Sequence, residues 1–126
     1  MEKRISSGLR TTFLVHFIVG LLFGLLYLLV PQVWGRLSGW PMQDPVVYRL
    51  VGAALLGFAA SSWWAYQAAT WERVKIVVQA EIVWTVLATL ILLWGLIFVD
   101  LPPLFWLNAA ILAAFAVAWV VFYFRG

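Results

Sequence analysis

Residues 11–35 read TTFLVHFIVGLLFGLLYLLVPQVWG and contain no Lys, Arg, Asp or Glu. Three further runs also lack charged residues: 50–71, 82–99 and 101–124. Because a helix rises about 1.5 Å per residue, roughly 20 apolar residues cross a hydrocarbon layer of about 30 Å. The runs do not alternate apolar and polar residues as the strands of a membrane barrel do. We therefore predict an all-α integral membrane bundle of four transmembrane helices, which cover about residues 11–30, 46–70, 74–99 and 103–124.

The composition favours a single transmembrane domain, residues 1–126. Apolar residues make up 66% of the 126 residues and charged residues only 10%, against about 45–50% and 25% in soluble domains. The chain has no cysteine and one histidine, which excludes disulfides, thiolate metal sites and multi-histidine sites within one chain. We expect no metal and no cofactor.

The basic residues are divided unequally between the two ends of the predicted spans. One end carries Lys3, Arg4, Arg10, Arg73, Lys75 and Arg125, and the other carries Arg36 and Arg49. Because basic residues accumulate on the cytoplasmic side of membrane proteins, we predict that both termini are cytoplasmic. The basic residues are dispersed and belong to no soluble domain, so we expect the lipid bilayer and not nucleic acid as the partner.

Six tryptophans fall near the predicted span ends, where an apolar ring with one N–H suits the headgroup region. The outer four are Trp34, Trp40, Trp94 and Trp106, and the inner two are Trp71 and Trp119. We predict that these six anchor the bundle to lipid. Trp63, Trp64 and Trp84 lie deeper and are candidates for lining an interface or a pocket.

Small residues recur at helical spacing in the first two spans. Gly20 and Gly24 share a face of the first span with His16, and Ala53 and Gly57 share a face of the second. Such faces let helices approach closely in lipid. We predict helix packing at these four small residues, either within the bundle, against a second copy or against another membrane protein.

Polar residues at membrane depth are the candidates for function, because a charge at mid-bilayer costs about 2.5–3.5 kcal/mol on insertion scales. Counting along the spans puts His16, Glu81 and Ser61 or Ser62 in one layer of the inner leaflet. We predict that His16 and Glu81 meet there, either as neutral hydrogen-bonding groups or as an ion pair. The candidate ligand-binding or proton-handling residues are Glu81, His16, Ser61, Ser62, Trp63, Trp64, Gln67 and Thr85.

Simpler interpretations of the same residues stay open. Glu81 lies about two turns inside its span and can reach water past Gln79. His16 can bond a neighbouring carbonyl. No catalytic constellation is visible: a serine beside His16 and Glu81 would lack the strained elbow and the oxyanion-hole loop of a hydrolase.

A second polar layer lies toward the outer side and comprises Asp44, Arg49 and Asn108. Arg49 can extend to the interface or pair with Asp44, which would fix the outer loop. Alternatively, Arg49 holds an anionic headgroup or substrate.

Four short motifs resemble those of the small four-helix DoxX-like membrane proteins of bacteria. They are LLYLLVP at 25–31, GWP at 39–41, DP at 44–45 and RLVGAALLG at 49–57, and the resemblance covers about residues 20–70. It implies a compact four-span bundle in a bacterial or archaeal plasma membrane, and some members of that family are linked to respiratory or quinone-related complexes. It transfers no functional residue.

Two functions fit these observations. The first is a non-catalytic accessory or scaffold subunit that packs in a homo-oligomer or in a larger membrane complex. The second is a small proton-linked transporter, or a binder of a lipophilic ligand such as a quinone or lipid, that uses Glu81 with His16. The chain is similar in length and topology to the small four-span multidrug exporters, but their essential acid lies in the first span, where this chain has His16 and no carboxylate.

Overall fold

The computed structural model describes residues 3–40 and 44–125, and these form five helices with no strand among them. The helices are α1 (Ser7–Leu29), α2 (Pro31–Ser38), α3 (Pro45–Gln67), α4 (Trp71–Phe98) and α5 (Phe105–Arg125). By length and composition, α1, α3, α4 and α5 are each able to cross a membrane. They contain the four predicted spans to within a few residues, whereas α2 lies in the predicted first connection. Residues 41–43 of that connection fall outside the described residues.

The helix boundaries follow from local chemistry. The Ser6 side chain accepts a hydrogen bond from the amide of Leu9 and caps α1, which therefore begins four residues before the predicted span. Val30 leaves the helical region because the next residue is Pro31, and Pro31 then occupies the first turn of α2. Gly39 ends α2 with a φ of 78°, a conformation that glycine adopts without steric cost.

The four long helices form two pairs, α1 with α3 and α4 with α5, and contacts within each pair exceed those between the pairs. Glycines bring the first pair together. A Cβ added at Gly20 would lie 3.1 Å from the Cβ of Ala59, and one added at Gly24 would lie 2.7 Å from a methyl group of Leu56. At Gly52 the added Cβ would lie 2.6 Å from a backbone nitrogen of α1. The two backbones are thus in near contact, as small residues allow.

The face that α3 presents to α1 carries Gly52 and Ala59 rather than Ala53 and Gly57. Gly52 and Ala59 are buried against α1, whereas Ala53 is exposed and nothing lies within 4 Å of a Cβ added at Gly57. The reason is geometric, since Gly52 and Gly57 are five residues apart and point to different sides of the helix. Ala53 and Gly57 therefore do not face α1, and packing at these two residues against a second copy or another membrane protein stays a prediction.

Both described chain ends lie at the same end of the bundle as the α3–α4 connection. The amide of Trp71 donates to the carbonyl of Lys3 at 2.8 Å, and the Lys3 ammonium donates to the carbonyl of Arg125 at 2.8 Å. The Arg10 guanidinium donates to the carbonyl of Tyr66 at 2.8 Å. We call this the inner end, and the end that carries α2 the outer end. The cytoplasmic location of the inner end stays a prediction.

Three of the six tryptophans predicted to contact lipid are instead buried in helix contacts: Trp34, Trp71 and Trp119. Trp119 packs on Phe13 with ring centroids 5.1 Å apart. Trp94 and Trp106 are exposed, as a lipid-anchoring role requires, and Trp40 is half-buried. Position near a span end fixes the depth of a side chain but not the side of the helix on which it lies, so the prediction is wrong for the three buried rings.

Candidate functional site

Three helices contribute a buried polar cluster, which we call the inner polar cluster: His16 of α1, Ser62 of α3 and Glu81 of α4. The Nδ1 atom of His16 lies 2.8 Å from the Ser62 hydroxyl oxygen. Its Nε2 atom lies 3.2 Å from Oε2 of Glu81. The structure thus brings together the histidine, the carboxyl group and one of the two serines that the sequence places in one layer.

The cluster is closed to the exterior. The exposed fraction is 0% for Glu81 and Ser62 and 6% for His16. In the described part of the chain neither carboxyl oxygen of Glu81 accepts a hydrogen bond, and Oε2 has the Nε2 atom of His16 beside it at 3.2 Å. Burying a carboxyl group with so few polar partners costs free energy. Such groups mark functional sites in membrane spans.

Aromatic rings and the helical repeat hold the cluster in place. Phe115 and Trp119 of α5 meet the His16 ring edge-on, at centroid distances of 4.8 and 5.4 Å. Thr85 lies one turn beyond Glu81 on the same face and donates its hydroxyl hydrogen to the Glu81 carbonyl at 2.7 Å. Thr85 is therefore satisfied within its own helix and contributes volume rather than a free polar group.

The cluster contains the residue types of a hydrolase triad, but its arrangement differs from one. In serine hydrolases Nε2 faces the serine and Nδ1 the acid, whereas here Nδ1 faces Ser62 and Nε2 faces Glu81. Ser62 is fully buried in the middle of a helix and does not line the cavity described next. The arrangement suits sharing of a proton between imidazole and carboxyl group better than attack on a substrate.

A cavity of about 470 Å³ lies between the two helix pairs. Its walls are almost wholly apolar and include Phe23, Leu55, Phe58, Trp84, Leu112 and Phe115. His16 lines the cavity toward the inner end, and Tyr27 and Asn108 line it toward the outer end. Among the described residues, no Lys, Arg, Asp or Glu belongs to its lining. The inner polar cluster thus touches the cavity through the imidazole ring alone.

The other candidates for the inner site lie elsewhere. Ser61 donates its hydroxyl hydrogen to the Phe58 carbonyl of its own helix at 2.7 Å. Trp63, Trp64 and Gln67 are exposed on α3 and do not reach the cluster. Of the three deep tryptophans, Trp84 is the one that lines the cavity.

The predicted outer polar layer does not form one site. Asp44 caps α3 by accepting a hydrogen bond from the amide of Val46 at 3.1 Å. Arg49 donates to the carbonyl of Leu28 at 3.1 Å and so ties α3 to α1, and within residues 3–40 and 44–125 no ion pair joins it to Asp44. Asn108 is buried on α5 and lines the cavity. Of the alternatives that the sequence left open for Arg49, the pairing with Asp44 is not found among the described residues, and Arg49 bonds the Leu28 carbonyl instead.

Sequence reasoning missed the contribution of α5 and the role of Tyr27. Phe115 and Trp119 surround His16, yet α5 carries no polar residue at that depth to indicate a site. Tyr27, which lines the cavity, could have been found from the sequence, since a hydroxyl group inside an apolar run needs a hydrogen-bond partner. Its ring packs edge-on against Tyr48, with centroids 5.6 Å apart.

Comparisons with known proteins give no match, whether with family models, with curated proteins or with solved structures. The resemblance to DoxX-like membrane proteins therefore stays a prediction.

Proposed function

We propose that this chain is an integral membrane protein that binds an uncharged lipid-soluble molecule in its central cavity. The cavity itself carries the proposal. Its volume of about 470 Å³ lies within the range of small-molecule sites, about 300–1,000 Å³. Its apolar walls with a few polar groups have the composition of such sites, and the lack of a charged lining residue among those described favours an uncharged ligand.

The inner polar cluster gives the site a means of responding to protons. His16 is the lining residue that also contacts a second titratable group, Glu81. A ligand that touches the imidazole ring changes the environment in which this pair shares a proton, so ligand occupancy and protonation are coupled in this proposal. A proton-linked transporter would use this coupling.

The orientation follows from the basic residues. Six of the eight lie at the inner end, which the contacts of Lys3 with Trp71 and Arg125 define, and this distribution favours a cytoplasmic inner end in a bacterial or archaeal plasma membrane. The cluster of His16, Ser62 and Glu81 then lies in the cytoplasmic half of the bilayer.

The test uses native mass spectrometry of protein released gently from its membrane. The Ala88→Phe variant places a ring inside the cavity, since Ala88 lines it, whereas Ala110→Phe places the same ring on an exposed face of α5. We expect the wild type and Ala110→Phe to retain a small-molecule adduct that Ala88→Phe lacks. Equal adducts in all three proteins, or none in the wild type, would refute a ligand site in the cavity.

An accessory or scaffold subunit is the second candidate function, favoured by the open face of α3. Ala53 and Gly57 are exposed at helical spacing, and nothing lies within 4 Å of a Cβ added at Gly57. Small residues of this kind accept a neighbouring helix in lipid. Gly57→Leu would release a partner chain in the same spectra if this interpretation is correct, and an unchanged set of masses would contradict it.

A further inference from the structure

The surface exposure of the cavity walls shows where the cavity opens. Most lining residues are buried or half-buried, and the exposed ones are Val51 at 40%, Leu87 at 54% and Ile91 at 66%. Val51 belongs to α3, and Leu87 and Ile91 belong to α4. The exposed lining residues all belong to α3 and α4, and this favours an opening of the cavity between these two helices. We call this opening the α3–α4 portal.

The outer end of the cavity is closed by aromatic rings. Tyr27, Trp34 and Phe105 are all buried. The ring of Trp34 lies 6.1 Å from that of Tyr27 and 5.9 Å from that of Phe105, measured between centroids. Because α2 turns Trp34 inward, this short helix separates the cavity from the outer aqueous side.

The inner end is closed as well. His16 with Phe115 and Trp119 covers it, and Trp119 continues into a buried apolar cluster that includes Leu9 and Phe13. Among residues 3–40 and 44–125, neither aqueous side therefore has a direct path to the cavity. A lipid-soluble molecule in the bilayer faces the α3–α4 portal directly.

A stacked ring pair sets the inner limit of the portal. Phe58 of α3 and Trp84 of α4 lie with centroids 5.3 Å apart and planes 11° apart. Phe58 lines the cavity and also a separate shallow groove that includes Gly57 and Ser61, so its ring divides the two spaces. The portal therefore faces the middle and outer parts of the helices.

We propose that the occupant of the cavity is one acyl chain of an outer-leaflet membrane lipid, which enters through the α3–α4 portal. This inference rests on the proposed ligand site and names its occupant. The cavity of about 470 Å³ has the size of a small-molecule site and extends along the helices from His16 to Tyr27 and Phe105, as an extended hydrocarbon chain requires. The apolar walls suit a hydrocarbon chain, and the lipid headgroup stays outside.

The experiment uses the purified protein in nanodiscs that contain phosphatidylcholine with a photoreactive diazirine near the end of one acyl chain. The carbene formed on illumination inserts into C–H bonds, so apolar residues report the contact. We expect label on Leu112 of α5, a half-buried residue of the cavity wall. Leu87→Trp narrows the portal, and Leu90→Trp places the same ring on α4 at an exposed position outside the cavity lining.

We expect Ala88→Phe, which fills the cavity, to lose the label on Leu112. Leu87→Trp should lose the label to the same extent, while Leu90→Trp keeps it. Label on Leu112 that persists in Leu87→Trp would overturn the portal and leave the ligand site standing. Label from a free photoreactive alkane but not from the phospholipid would overturn the acyl chain as occupant. If neither reagent labels Leu112 in the wild type, the proposed ligand site fails together with this inference.

Discussion

Replacing Gly52 by alanine tests the packing on which the whole bundle depends. The added methyl carbon would lie 2.6 Å from the nitrogen of Leu28, 2.8 Å from the oxygen of Gly24 and 3.0 Å from the carbonyl carbon of Tyr27. All three atoms belong to the α1 backbone, so no flexible side chain can move aside. The helices must separate by about 1 Å before these contacts reach the ordinary distance of about 3.5 Å.

The expected cost follows from two opposing terms. Overpacking a tight contact costs about 1–3 kcal/mol, and a backbone clash belongs at the upper part of that range. Alanine recovers about 1 kcal/mol because it favours a helix more than glycine does. We therefore expect Gly52→Ala to lose about 1–2 kcal/mol of unfolding free energy.

Gly57→Ala is the matched control, on the same helix and with the same chemical change. Nothing lies within 4 Å of the added methyl group at Gly57, so only the helix-propensity term remains. We expect this variant to gain about 0.5–1 kcal/mol.

The assay is a titration of the detergent-solubilised protein with sodium dodecyl sulfate, followed by circular dichroism. Gly52→Ala should unfold at a lower detergent fraction than the wild type, and Gly57→Ala at the same or a higher fraction. Midpoints that shift equally in the two variants would refute the assignment of α3 faces, because the two glycines would then have equivalent surroundings.

Further variants test the polar cluster and the outer closure. Ser62→Ala removes the hydroxyl group bonded to His16 and should cost about 0.6–1.7 kcal/mol in the same titration, whereas Ser61→Ala, which loses a bond only to its own helix, should change little. Glu81→Gln should keep the fold and stability, because the volume is conserved, yet abolish the dependence of ligand retention on pH; an unchanged pH profile in native mass spectra would contradict a proton-linked role. Trp34→Ala should speed amide hydrogen exchange in α2, since it removes a buried ring that holds this helix against the bundle. Exchange in α2 as slow as in the wild type would show that the Trp34 ring does not stabilise this helix.

The inner polar cluster could be predicted because two properties follow from the position of a residue along its helix. These are its depth in the membrane and the set of residues that share its helical face. Counting 1.5 Å per residue placed His16 and Glu81 at one level, and the position of His16 on the Gly20 face pointed it toward other helices. The structure puts their atoms 3.2 Å apart. The choice of Ser62 over Ser61 required the rotation of α3, which depends on how Gly52 meets α1.

Where sequence reasoning went wrong, the missing quantity was the rotation of a helix about its own axis. Trp119 and Trp106 both lie near an end of α5, yet one is buried and the other faces outward. The sequence also left open which small residues of α3 meet α1, and the structure shows that Gly52 makes this approach and Gly57 does not. In a membrane an apolar side chain has a similar free energy whether it faces lipid or another helix, so hydrophobicity cannot indicate which face is buried.

The amino-acid order alone determined that the chain forms long apolar helices, because each backbone polar group must be satisfied within its own segment in hydrocarbon. It also determined the level at which each polar group lies, since the rise along a helix is fixed. Only the tertiary structure decided that the helices form two pairs with a cavity between them. The pairing of α1 with α3 depends on close backbone contacts at glycines such as Gly52. At these contacts the shapes of two segments that are distant in sequence must match.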